Sequence, residues 1–144
     1  MSVLAISDET DRAGGCQCGA VRFSSTGEAR GLYVCHCLEC RRQSASAFGM
    51  SLVVPREGFR LTRGQPQMWS RSADSGRRLQ CFFCPDCGAR VWHEPEEFRD
   101  IVVIKAGALD EPIDAARAIH IWTARKLPGI VIPEGAPEFP GEPD

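Results

Sequence analysis

No apolar stretch in this sequence is long. Runs such as Ile101-Val102-Val103-Ile104 fall far short of the roughly 20 residues that span a bilayer, which excludes a transmembrane helix. The N-terminal region has neither the basic start nor the apolar centre of a secretory signal: Val3 to Ile6 is followed at once by Asp8, Glu9 and Asp11. A cytoplasmic location is therefore expected. A basic surplus is also missing. Lys and Arg number 17 against 19 Asp and Glu, for a net charge of −2, and this disfavours a nucleic-acid partner. Aromatic residues are only 8% of the chain and have no interleaved basic residues, so Trp69, Trp92 and Trp122 are expected in the core rather than on a base-stacking platform. Repeats and low-complexity tracts are absent, which leaves out solenoids and arrays.

Uninterrupted sequence for a long helix is lacking as well. Glycine and proline break the chain at Gly27, Gly31, Pro55, Gly58, Gly64, Pro66, Gly76, Gly107 and Pro112. Between these breaks lie short apolar runs: Ala20 to Phe23, Leu32 to Cys35, Phe48 to Val54, Phe59 to Thr62, Leu79 to Phe83, Arg90 to Trp92, Ile101 to Ala106 and Ile119 to Trp122. These read as strands. Only short helical turns fit the remainder, at Leu38 to Gln43 and at Asp114 to Ala118, where Asp114 can cap the turn. With 144 residues, 43% of them hydrophobic and 25% charged, the chain has room for one mainly β domain. Its expected limits are residues 14–132, after a polar lead-in over 1–13 and before a proline-rich tail over 133–144.

What the chain has in excess is cysteine, eight in all. A disulfide framework is the first reading to weigh, but clustered cysteines in a reducing compartment are more often ligands or catalytic groups. The clusters are Cys16-Gln-Cys18, Cys35-His-Cys37-Leu-Glu-Cys40, and Cys84-Pro-Asp-Cys87 with Cys81 just before it. A two-residue spacer lets both sulfurs face one ion at ~2.3 Å, and a following glycine relieves the turn. Cys84 to Gly88 has this form. It supplies two of the four ligands that tetrahedral zinc needs, and Cys16 and Cys18, followed by Gly19, can supply the others. This gives a structural site closing a long loop.

Cys35, Cys37 and Cys40 remain, and all three can reach a second ion. Three protein ligands with an exchangeable fourth position mark catalytic rather than structural zinc. Three thiolates make that zinc a poor Lewis acid but leave it able to hold an incoming thiol as thiolate, so thiol chemistry is favoured over hydrolysis. Cys81 has three readings: a fourth ligand that closes this site, a buried free cysteine, or a reactive thiol. His36 is expected to turn its ring away from the metal, and His93 and His120 read as strand positions. Arg41 and Arg42 follow the last ligand directly. They read either as contacts for a substrate anion or the anionic cluster, or as part of a solvated face.

The segments Gly15-Cys16-Gln-Cys18-Gly19-Ala-Val-Arg-Phe23, Cys35-His-Cys37-Leu-Glu-Cys40-Arg-Arg-Gln-Ser44, Phe83-Cys84-Pro-Asp-Cys87-Gly88 and, more loosely, Lys105-Ala-Gly-Ala-Leu-Asp110 resemble one family. It is the glutathione-dependent formaldehyde-activating enzymes, which share a domain with centromere protein V. The resemblance spans roughly residues 14 to 127. It implies an Mss4-like, mostly β fold with a four-cysteine structural zinc and a second zinc on Cys35, Cys37 and Cys40, so two zinc ions per chain. It also implies a carbon–sulfur lyase acting on the adduct of a small thiol, glutathione or similar, with an aldehyde such as formaldehyde. The sequence departs from the family pattern at Cys81, at Ser44-Ala45-Ser46 where a glycine-containing stretch is common, and at Gly129 where relatives often carry tryptophan. The competing expectation is a non-catalytic binding module whose second zinc site is closed by Cys81.

Overall fold

A computed structural model of the chain describes residues 11–73 and 76–143, so the first ten residues of the expected lead-in lie outside the described residues. Among the described residues there are ten strands: β1 (Asp11–Gly15), β2 (Arg22–Thr26), β3 (Gly31–Cys35), β4 (Gly49–Pro55), β5 (Phe59–Arg63), β6 (Gln67–Ser72), β7 (Arg78–Phe83), β8 (Arg90–Pro95), β9 (Ile101–Lys105) and β10 (Ile119–Ile121). One short α-helix, α1 (Leu38–Ser44), follows β3. The architecture is thus mainly β, and none of its helices is long and apolar enough to cross a membrane. Most strands fall on the expected apolar runs. The expected turn near Asp114 is a 3-10 turn at Ala115–Arg117, whose Ala116 N–H donates to the Asp114 carboxylate at 3.0 Å.

Two sheets form. The smaller has the order β1-β2-β5, and the larger β10-β3-β4-β9-β8-β7-β6, antiparallel except where β10 pairs with β3. Residues directly opposite in an antiparallel pair share a face, so the register sorts side chains into rows. One row of the large sheet runs Phe82, Trp92, Ile104, Leu52, Leu32, and Val54 stands opposite Val102 on the same side. Those side chains meet Phe23 and Val21 of the small-sheet region in the core, where nearly all are inaccessible. Phe59 and Phe82 close over Trp92 with ring centroids at 4.8 and 5.0 Å. Each fully buried aliphatic or aromatic side chain contributes about 1.5–3 kcal/mol, which makes this layer the main source of stability.

The opposite face of the large sheet carries different rows. Tyr33, Ser51 and Lys105 form one, and Val53, Val103, His93, Cys81 and Trp69 another. Trp92 is in the core as expected, but Trp69 is about half exposed, because β6 is an edge strand of the sheet. The tail packs along β10: His120 N–H donates to Pro137 O and Phe139 N–H to His120 O, each at 2.9 Å.

Candidate metal centres and the cavity beside them

All eight cysteines are free thiols, and seven of them gather into two groups whose sulfurs lie within 4.8 Å of one another. The first group is Cys16, Cys18, Cys84 and Cys87. Two tight turns build it, one between β1 and β2 and one between β7 and β8. In each, the glycine after the second cysteine has a positive φ, 82° at Gly19 and 80° at Gly88, which only glycine adopts without strain. Gly19 N–H donates to Cys16 O at 3.2 Å and Gly88 N–H to Cys84 O at 2.8 Å. Backbone N–H groups also point at the sulfurs: Val21 at Cys16 Sγ, 3.2 Å, and Asp86 at Cys84 Sγ, 3.3 Å.

The sulfurs of Cys16 and Cys18 are 3.7 Å apart, and those of Cys18 and Cys84 are 3.8 Å apart. A tetrahedron with metal–sulfur bonds of ~2.3 Å has edges of about 3.8 Å, so the donor set fits a zinc-sized ion. A backbone hydrogen bond from Ala89 leads the interactions that hold the Cys87 thiol down at about 6, which favours the thiolate a metal requires. The turns belong to different sheets, so an ion here ties the small sheet to the large one.

The second group is Cys35, Cys37 and Cys40. Cys35 ends β3, Cys37 is the N-cap of α1, and Cys40 stands in the first helical turn, from which its N–H donates to Cys37 Sγ at 3.3 Å. Hydrogen bonds from Cys35 and then Cys40 push the Cys37 thiol down to about 2, while its bond to Cys37 pushes Cys35 up. The trio therefore carries thiolate charge centred on Cys37, as a cation-binding group should. Cys81 is not in this group. It is fully buried on β7, opposite His93, and burial raises its thiol.

His36 turns away from the sulfurs into the interior, where its Nε2 lies 2.9 Å from His120 Nδ1. Arg41 is half-buried and Arg42 exposed on α1, and neither lines the two cavities that adjoin the sulfur groups. Other cations line one of these cavities: Arg71 from β6, Lys105 from β9 and Arg77 from the segment before β7. This cavity, about 440 Å³, has Cys35, Cys37 and Cys40 in its wall together with these three and His93. Lys105 is buried, and its Nζ donates to Ser51 Oγ at 2.9 Å. Arg71 lies 3.9 Å from Glu39 of α1, and His93 Nε2 is 3.0 Å from Arg90 Nη1. Burial first, then the charges of Lys105, Arg90 and Arg71, hold the His93 imidazole well below its usual pKa, so it is neutral.

Lys105 and Gln43 also line the neighbouring cavity of about 570 Å³, which reaches Cys16. The Gln43 Oε1 is buried without a hydrogen-bond partner. Asp110, at the other end of the Lys105-Ala-Gly-Ala-Leu-Asp110 segment, pairs with Arg22 and fixes that segment against β2. Arg71 was not singled out by the sequence, His93 was read there only as a strand position, and Lys105 only as the head of a family-like segment. For Lys105 the alternation along β9, where Ile101, Val103 and Lys105 share a face, was a further signal.

Residues 11–125 match the family model described as glutathione-dependent formaldehyde-activating enzyme. Among solved structures, a crystal structure of a Rhodobacter sphaeroides protein superposes with a TM-score of 0.54 at 18% identity, covering 88% of this chain and 98% of that one. That likeness shows a common fold.

Proposed function

The chain belongs to the glutathione-dependent formaldehyde-activating enzyme family, and from that premise we propose that it makes or cleaves the carbon–sulfur bond of a hemithioacetal between a glutathione-like thiol and an aldehyde such as formaldehyde. The observation that carries this reading is the Cys35, Cys37 and Cys40 trio, set in the wall of a cavity that Lys105 also lines. Zinc held by these three thiolates would supply a position at which an incoming thiol binds ionised. A second zinc on Cys16, Cys18, Cys84 and Cys87, with no position left open, would be structural.

The rest of the chemistry falls to the chain. The thiol gives its proton to water as it ionises, its sulfur attacks the carbonyl carbon, the carbon–sulfur bond forms, and the π pair moves to oxygen, which takes one proton back from water; cleavage is the reverse. The Lys105 ammonium has three N–H donors and gives one to Ser51, leaving two for the oxygen on which charge develops. Arg71 and Arg77 offer carboxylates of a peptide thiol their counter-charges, and the Gln43 Oε1 accepts from an amide or ammonium group. Trp122 and the tail residues Glu142 and Pro143 form part of the wall and limit water entry.

The test is exchange spectroscopy of formaldehyde and glutathione by NMR. Exchange faster with the zinc-loaded protein than without it supports the reading, and an unchanged rate refutes it. The absence of Cys81 from the Cys35, Cys37 and Cys40 group also favours an open site over the closed binding module.

A further inference from the structure

Most of the cavity wall beyond the sulfurs is apolar, and this bears on the aldehyde. On β9 the core-facing Val102 and Ile104 are inaccessible, whereas Ile101 and Val103, on the cavity face, are only half-buried. Val53 stands opposite Val103, Leu79 opposite Pro95, and all four line the same cavity. An antiparallel sheet with one covered face normally presents polar residues on the other. Here Ile101-Val102-Val103-Ile104 is apolar on both faces, and the second face is left partly uncovered. Along β9, Lys105 is at the sulfur end, with Val103 two residues and Ile101 four residues further along, a distance of roughly 13 Å from Lys105 to Ile101.

We propose that the aldehyde used at this site carries an extended apolar chain, with its carbonyl oxygen at Lys105 and its chain laid over Val53, Val103, Leu79 and Ile101. This rests on the hemithioacetal reading above and makes it specific. Formaldehyde has no carbon body to cover this wall. An alkyl aldehyde of medium length places apolar surface where the sheet offers it and removes both surfaces from water. The bond changes are those already given: sulfur adds to the carbonyl carbon, the π pair goes to oxygen, and water supplies the proton.

The experiment compares formaldehyde, propanal, butanal and hexanal with glutathione, reading for each the protein's rate enhancement over uncatalysed exchange. Each methylene buried on the wall is expected to raise the enhancement roughly fourfold until the chain reaches Ile101. Binding is read separately with hexanamide, an unreactive carbonyl compound, added to 15N-labelled protein. Shifts are expected at the amides of Val53, Ile101 and Val103. Val103→Trp, which fills the wall, is expected to lower the ratio of hexanal to formaldehyde enhancement at least tenfold. Acceleration of formaldehyde exchange with no gain along the series overturns the proposal while leaving the hemithioacetal reading in place. No acceleration with any aldehyde overturns both. Hexanamide shifts that miss the wall, or that fall only at the exposed Met68 and Trp69, also overturn the proposal.

Discussion

Lys105 and Ser51 face one another across β9 and β4, and the lysine Nζ donates to the serine Oγ at 2.9 Å beside the Cys35, Cys37 and Cys40 sulfurs. Burial lowers the lysine's pKa, while the charges of Cys40 and Cys35 act in the opposite direction. Lys105 thus stands as a hydrogen-bond donor beside the sulfurs. Lys105→Met keeps the length and apolar stem but removes the donor. Aldehyde exchange should fall about 10- to 100-fold, the usual range for a group that supports a metal site from outside its ligand set. The zinc-loaded fold should survive, because a bound cation would still offset the thiolate charge when the lysine is gone. Exchange at the wild-type rate in a fully zinc-loaded variant would contradict this role.

The two sulfur groups should separate cleanly under mutation. Cys84→Ser removes one sulfur of the group that stands between the two sheets, and the variant should lose several kcal/mol of stability or fail to fold, with zinc release by a strong chelator giving the same result in the wild type. Cys37→Ser touches a site within one β-α turn. It should retain near-native circular dichroism, bind one zinc rather than two, and have no exchange activity. Equal loss of folding in both variants would show that the second site is structural too.

Ala45 ends α1 in the left-handed region at φ 53°, a conformation that costs a residue with a Cβ roughly 1–2 kcal/mol. Ala45→Gly should raise stability by about 0.5–1 kcal/mol, after the greater freedom of glycine in the unfolded chain is deducted. Urea midpoints of the two proteins check it, and a lower midpoint for the glycine variant would contradict it.

His36 and His120 are both held below the ordinary imidazole pKa, chiefly by burial, with the charge of His120 adding to the effect on His36. As pH falls through the usual value of about 6.5, the unfolded chain takes up these protons before the folded chain does. Their contribution therefore costs nothing above that pH and reduces stability progressively below it. In His120→Gln the loss between pH 7 and pH 5.5, measured by urea unfolding at saturating zinc, should be smaller than in the wild type. An identical loss would mean that the pair does not titrate as a folded-state unit.

The strands most easily read were those with dense β-branched runs, such as Ile101 to Ala106, and the cysteine spacing pointed to both sulfur groups. β1 was hidden by its composition: Asp-Arg-Ala-Gly-Gly has little strand propensity, and Gly14 is there because a Cβ would lie 2.4 Å from Ala108 O. β6 was hidden because an edge strand, Gln-Met-Trp-Ser-Arg-Ser, needs no apolar alternation. The cavity was least legible. Arg41 and Arg42 drew attention by following Cys40 in sequence, yet the lining cations Arg71, Arg77 and Lys105 come from β6, the segment before β7, and β9. Only the strand register brings them over the sulfurs.

Openness of the Cys35, Cys37 and Cys40 site to an external thiol is the centre of this account, and Cys81 is the residue that would close it. X-ray absorption at the zinc edge of the fully loaded protein measures it directly. One four-sulfur and one three-sulfur site average to about 3.5 sulfurs per zinc, and glutathione should raise this to about 4. Four sulfurs per zinc before any thiol is added, unchanged afterwards, would contradict the account.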